Sequence, residues 1–135
     1  MVWQGYGQKN IRFAILKHVR DSDVHWDLLL QNPDHPRLAT WQIRIEPVAW
    51  QSRAIVAIRL PDHRAVYLDY EGEISSGRGR VTRVDGGLIE LLRYDPQRIE
   101  TVLHGQLLQG ALTLIRAADT PTFSDQWTLQ WTVTV

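Results

Sequence analysis

Trp127–Val135, WTLQWTVTV, alternates without a break. Trp127, Leu129, Trp131, Val133 and Val135 fall on one side of an extended chain, and Thr128, Gln130, Thr132 and Thr134 on the other. Successive side chains of a strand leave opposite faces, so this period of two fits a half-buried antiparallel strand. The same reading applies to RFAILKHV, HWDLLLQ, LATWQIRI, AIVAIRL, AVYLDY, GRVTRV, LIELLRY, RIETVLHG and ALTLIRA. Turn-forming clusters separate them: NPDHP, EPVAW, LPDH, SSGRG, DGG, YDPQ and ADTPTFSD. About nine or ten short strands at this spacing predict an all-β, mostly antiparallel chain. Closure removes exposed strand edges, so the expectation is a compact closed or partly closed β-barrel of about eight to ten strands with little helix. GGLIELLRYDPQ has Leu88, Leu91 and Leu92 at helix-like spacing. It runs for only about seven residues before Pro96 and follows a hairpin-type VDGG turn, so it is read as a strand.

The 135 residues suit one domain, 1–135, with a single core. An apolar fraction of 44% against 22% charged residues is that of an ordinary folded chain, which argues against disorder. Fifteen basic residues balance fifteen acidic ones, so bulk charge cannot be what draws the chain to nucleic acid. A local basic patch remains open, because Arg53, Arg59, Arg64, Arg78, Arg80 and Arg83 cluster in the middle of the chain. The absence of cysteine excludes a disulfide framework, a thiolate zinc site and a cysteine nucleophile. No apolar run reaches the roughly 18 residues of a membrane helix, and MVWQGYGQKN lacks the apolar core of a secretory signal. A soluble, cytoplasmic, monomeric protein without membrane contact is expected.

Polar residues break the pattern in IRFAILKHVRDSDVHWDLLLQ, Ile11–Gln31. His25 and Asp27 are two apart, so a strand sends both to one face while Trp26, Leu28 and Leu30 take the other. His18 ends the preceding run, and a hairpin through VRDSD brings it across the ladder from His25, with Cβ atoms about 5 Å apart. Two imidazoles and a carboxylate form a ligand set suited to zinc, manganese or iron, with positions left open for water or substrate. The spacing alone also suits a surface hydrogen bond between His25 and Asp27. Polar groups inside an apolar strand pair nevertheless require a reason.

A second cluster, LPDHRAVYLDYEG, holds His63 and Tyr67. An imidazole and a phenol beside a metal would suit phosphate binding and stabilisation of developing charge. A turn histidine and a strand tyrosine with a satisfied hydroxyl is the plainer alternative. ISSGRGRV could hold an anion on backbone N–H groups beside Arg78 and Arg80, but it lacks the lysine of a phosphate-binding loop and also reads as a glycine-rich hairpin turn. His35 and His104 are given no role. No nucleophile-elbow, zinc-protease or dinucleotide glycine pattern is present.

Taken together, the clusters resemble the 3′-phosphoesterase domain of bacterial DNA ligase D. That family has a strand F-x-x-x-K-H, a short turn, and L-H-Y-D-x-R-L; the matching residues are Phe13, Lys17, His18, Val24, His25, Trp26, Asp27 and Leu30. Its later segments are answered by TWQIRIEP, PDHRAVYLDYEG, ISSGRGRVTRVDGG and the closing LHGQLLQGALTLIR. The resemblance implies a barrel that uses manganese to trim nucleic-acid 3′ ends, with possible end-joining partners. It assigns the metal to His18, His25 and Asp27, and the scissile phosphate to His63 and Tyr67. It adds Arg53, across a two-residue insertion, to the substrate contacts, and Arg78 joins them from the reading of the glycine-rich loop as an anion holder. Departures from the family are as specific. Leu29 replaces an arginine two residues past the metal aspartate, the family's lysine falls on or beside Ile45 with Arg44 adjacent but facing the other way on a regular strand, and Pro61 replaces an acidic residue. The basic arm that precedes the family's first strand is absent, as in a short stand-alone relative. The main expectation is a manganese-dependent 3′-phosphodiesterase and phosphomonoesterase, zinc or another transition metal being the alternative ion. A catalytically weak or inactive barrel that binds nucleic acid or a repair partner is the second expectation. The third is a metalloenzyme acting on an unrelated small molecule.

Overall fold

The computed structural model describes residues 11–118 and 124–132. The end of the WTLQWTVTV strand, the middle of ADTPTFSD and the segment MVWQGYGQKN lie outside them. Nine strands follow in order: β1 (Arg12–Arg20), β2 (Asp23–Asn32), β3 (His35–Ile43), β4 (Ile55–His63), β5 (Gly72–Glu73), β6 (Arg80–Asp95), β7 (Arg98–Gly105), β8 (Gln109–Arg116) and β9 (Asp125–Thr132). Two 3-10 turns, Pro47–Ala49 and Ala65–Leu68, are the helical elements among the described residues. The strand order is β1-β2-β3-β4-β9-β8-β7-β6, and β6 pairs back onto β1. Eight antiparallel strands therefore close a barrel, with the short β5 added at the start of β6. No helix among the described residues is long and apolar enough to cross a membrane.

The wall is apolar on both sides in one region. Phe13, Ile15, Leu28, Leu30, Trp41, Ile43, Trp127 and Leu129 point inward, and the Trp41 and Trp127 rings meet edge-on at 5.5 Å. Ala14, Leu16, Leu29, Leu38 and Val81 point outward into a second cluster, covered by Leu68, Tyr67, Tyr70 and Ile74. This two-sided burial explains why Phe13–Leu16 and Leu28–Leu30 read as unbroken apolar runs. A leucine fully buried in this way contributes about 1.5–3 kcal/mol. The outer cap is tied down by Arg12, which donates to both oxygens of Asp69 at 3.1 and 2.5 Å, and by Arg83, which donates to the Leu68 carbonyl.

Three expected elements differ. AVYLDY is not a strand: Tyr67 N–H donates to Arg64 O and Asp69 N–H to Val66 O, which makes a single turn that lays Leu68 onto the barrel wall. LPDH is not a turn, because β4 continues to His63 through an irregularity opposite Leu38–Thr40, where the missing N–H of Pro61 is tolerated. DGG is not a hairpin either. β6 runs through it, with a bulge where Ile15 faces Asp85 and Leu16 faces Arg83. The glycines serve close approach: a Cβ on Gly87 would lie 2.2 Å from the His104 carbonyl oxygen, and one on Gly105 would lie 2.4 Å from the Asp85 carboxylate.

Candidate active site

The β1–β2 hairpin sets the first half of the site. Its register pairs His18 with His25 and Leu16 with Asp27. Inward-facing Ile15 and Leu28 fix the parity, so His18, His25 and Asp27 share the outer face, beside the second apolar cluster. His18 Nδ1 lies 3.1 Å from His25 Nε2, and Asp27 lies 3.4 Å from His25 Nε2 and 3.9 Å from His18 Nδ1. One ligand-capable atom from each residue falls within 4.8 Å of the others. Both His25 and Asp27 are buried, and Asp27 Oδ1 has no hydrogen-bond partner. A buried carboxylate oxygen that makes no hydrogen bond and lies 3.4 Å from an imidazole nitrogen is costly by itself and fits a cation that completes it.

The far nitrogens of both rings are fixed from behind. His18 Nε2–H donates to the Arg78 carbonyl at 2.7 Å, which leaves Nδ1 with its lone pair toward the cluster. His25 Nδ1–H donates to Asp23 at 3.1 Å, and Arg44 donates to the other Asp23 oxygen at 2.5 Å. Outer partners of this kind set tautomer and ring orientation for metal-binding histidines. Asp27, opposed by burial and assisted by Asp23, holds the His25 imidazole above its ordinary pKa. Arg44, then His25, keeps Asp23 below the usual carboxylate range. Asp23 was missed in the sequence, although D-V-H-W-D places it at the same parity as His25 and Asp27.

The second half of the site comes from the end of β4 and the 3-10 turn after it. His63 and Tyr67 stand edge to face, with ring centroids 6.0 Å apart. They line one cleft of about 350 Å³ with His18, Asp27 and Arg78. The cleft also takes in Arg37, Asp62 and Arg64, none of which the sequence singled out as site residues. His63 Nδ1–H donates to the Pro61 carbonyl at 3.0 Å, so Nε2 is the atom left for proton exchange. The Arg78 guanidinium is turned back onto Ser75. Arg53 stands apart: it lines a separate cleft of about 480 Å³ with Gln42, Arg44, Ile55, Val56 and Ile58. Leu29 has no access to the first cleft's solvent, being fully buried in the outer cluster. His104 pairs with Glu90 on the surface, and His35 lies 3.9 Å from Asp62.

A family model, the DNA ligase D 3′-phosphoesterase domain, matches residues 17–116. The chain belongs to that family. The matched span begins one residue before His18 and contains His18, His25, Asp27, His63, Tyr67 and Arg78. No curated protein matches the chain. The family resemblance read from His18, His25, Asp27, His63 and Tyr67 is therefore upheld. Membership makes this a domain of the 3′-phosphoesterase type.

Proposed function

We propose that the chain is a metal-dependent phosphoesterase that trims 3′-terminal ribonucleotides or 3′-phosphates from nucleic acid. His18 Nδ1, His25 Nε2 and Asp27 would hold one divalent ion, manganese by the family resemblance, with zinc the alternative. The observation that carries this reading is the Asp27 carboxylate, with one oxygen orphaned, beside two oriented imidazoles in a cleft shared with His63 and Tyr67. Bound there, the ion would offset phosphate charge and polarise the phosphoryl group. The chain's own residues do the rest. The Tyr67 hydroxyl, which has no hydrogen-bond partner among the described residues, donates to a phosphoryl oxygen. Water attacks phosphorus and releases one proton to solvent, the P–O bond to the leaving group breaks, and His63 Nε2 hands the departing oxygen a proton that it regains from solvent.

The burial of Leu29 favours a second reading, a barrel that grips nucleic acid without cutting it. One assay separates the two. A labelled primer-template bearing a single 3′ ribonucleotide or a 3′-phosphate is incubated with manganese. Trimming that disappears in His25→Ala and in His63→Ala is the expected result. Retained binding without trimming by the wild type would favour the second reading, and trimming that survives both substitutions would place the chemistry elsewhere.

A further inference from the structure

Six arginines of this chain are spent on structure. Arg12, Arg44, Arg59, Arg93, Arg98 and Arg116 each have a carboxylate oxygen at 3.0 Å or less. Arg37 and Arg64 do not. Both are exposed, both line the cleft that contains His18 and Asp27, and neither guanidinium has a carboxylate partner among the described residues. Asp62, the cleft carboxylate beside them, is already engaged by Arg59 at 3.0 Å. Their placement is not accidental to the fold. The outermost rung between β3 and β4 is Leu38 with His63, so Arg37 and Arg64 occupy the next positions outward on the two chains. The Arg37 backbone is fixed by its N–H bond to His35 Nδ1, and the Arg64 guanidinium rests 5.8 Å from the Tyr67 ring centre.

Like charges at facing positions are a cost to a sheet. They cease to be one when an anion accepts from both, and guanidinium–phosphate pairs are among the strong charge-assisted contacts. We propose that Arg37 and Arg64 form a subsite for the phosphate next to the one being attacked. The substrate of this site is then a nucleic-acid strand that presents a second phosphate, and a single nucleotide lacks half of the recognition. This rests on the proposed 3′-end chemistry for its meaning, but its binding test does not need turnover.

The test compares wild type, R37A/R64A and R37K/R64K on two probes. The first is a fluorescent single-stranded oligonucleotide, titrated by anisotropy at several salt concentrations in the presence of chelator. Both arginines hold the same phosphate, and losing one phosphate contact lowers the log–log salt slope by about 0.7, so R37A/R64A should lose about 0.7 of the slope and bind on the order of a hundredfold more weakly. R37K/R64K keeps both charges and should retain most of the slope. The second probe is turnover with manganese: R37A/R64A should raise KM for an oligonucleotide 3′-phosphate at nearly unchanged kcat, and leave hydrolysis of a nucleoside 3′-monophosphate as it was. An unchanged salt slope in R37A/R64A, or a wild type that binds no oligonucleotide, overturns the subsite. A slope that falls while the wild type hydrolyses nothing upholds the subsite and removes the phosphoesterase reading instead.

Discussion

Asp27 and Leu29 sit two residues apart on the same outer face, and their environments differ in kind. Leu29 is enclosed by Ala14, Leu16, Leu38 and Leu68, where an ionic side chain would be buried without a partner. Asp27 is equally buried but polar, with one oxygen left without a hydrogen bond. An unsatisfied buried carboxylate destabilises a fold, so it signals something other than stability. Asp27→Asn removes the charge at nearly constant volume. In chelator at pH 8, its urea midpoint should equal or exceed that of the wild type. A divalent ion at a hundredfold over its dissociation constant should then raise wild-type stability by about 2.7 kcal/mol through mass action. The Asn variant should gain far less. Equal gains in the two proteins would take Asp27 out of the proposed ligand set.

Asp85 and Asp95 do their work at the level of the element, each organising a turn through its carboxylate. Asp85 Oδ1 accepts the N–H groups of Gly86, Gln106 and Leu107 at 2.8, 2.8 and 3.1 Å, and Oδ2 accepts that of Leu108 at 2.8 Å. One side chain in β6 thus shapes the connection from β7 to β8. Asp85→Ala orphans several backbone donors beside the buried Gly105 and Leu108, at a cost of roughly 3 kcal/mol or more. A loss under about 1 kcal/mol by urea denaturation would mean that water replaces the carboxylate. Asp95 accepts from Arg93 at 2.7 Å and from the Gln97 and Arg98 N–H groups at 2.9 Å each. Arg93 first, then Gln97, lowers its pKa in the folded chain. A depressed carboxylate stabilises fully above its unfolded value of about 4 and loses that contribution as pH falls through the folded value. Asp95→Asn should therefore be less stable than wild type at pH 7, with the gap closing below about pH 4. A gap that persists unchanged at pH 2 would assign the effect to turn geometry instead of charge.

Across the whole molecule, legibility followed the number of faces each strand buries. β7, β8 and β9 bury one face, and their period of two was plain in RIETVLHG, ALTLIRA and WTLQWT. β1 and β2 bury both faces where the cap lies over them, so their parity was carried by His25 and Asp27 against Leu28 and Leu30. The cap itself was misread, because Leu68 and Tyr67 have strand-like neighbours and their true contacts lie on β1 and β3. Strand parity brought His18, His25 and Asp27 together on paper. Arg37 and Arg64 share no local pattern and become neighbours only through the β3–β4 register.

That architecture makes the site a joint between wall and cap, since His18 on β1 donates to the carbonyl of Arg78 in the glycine-rich loop. The loop is closed on itself by Ile74 N–H to Gly79 O at 2.7 Å, and Arg83 N–H reaches back to Glu71. An ion on His18 Nδ1 would draw electron density from the ring and make Nε2–H a stronger donor to that carbonyl. The proposed metal should therefore slow hydrogen exchange at the Ile74 and Arg83 amides beyond any slowing at wall amides such as Leu112 and Leu129. Wall amides open with the barrel as a whole and register only the global gain. His18→Ala should abolish the cap-specific slowing while the wall amides keep their protection in chelator. Uniform slowing throughout the chain would show that the ion stabilises the barrel without tightening the cap.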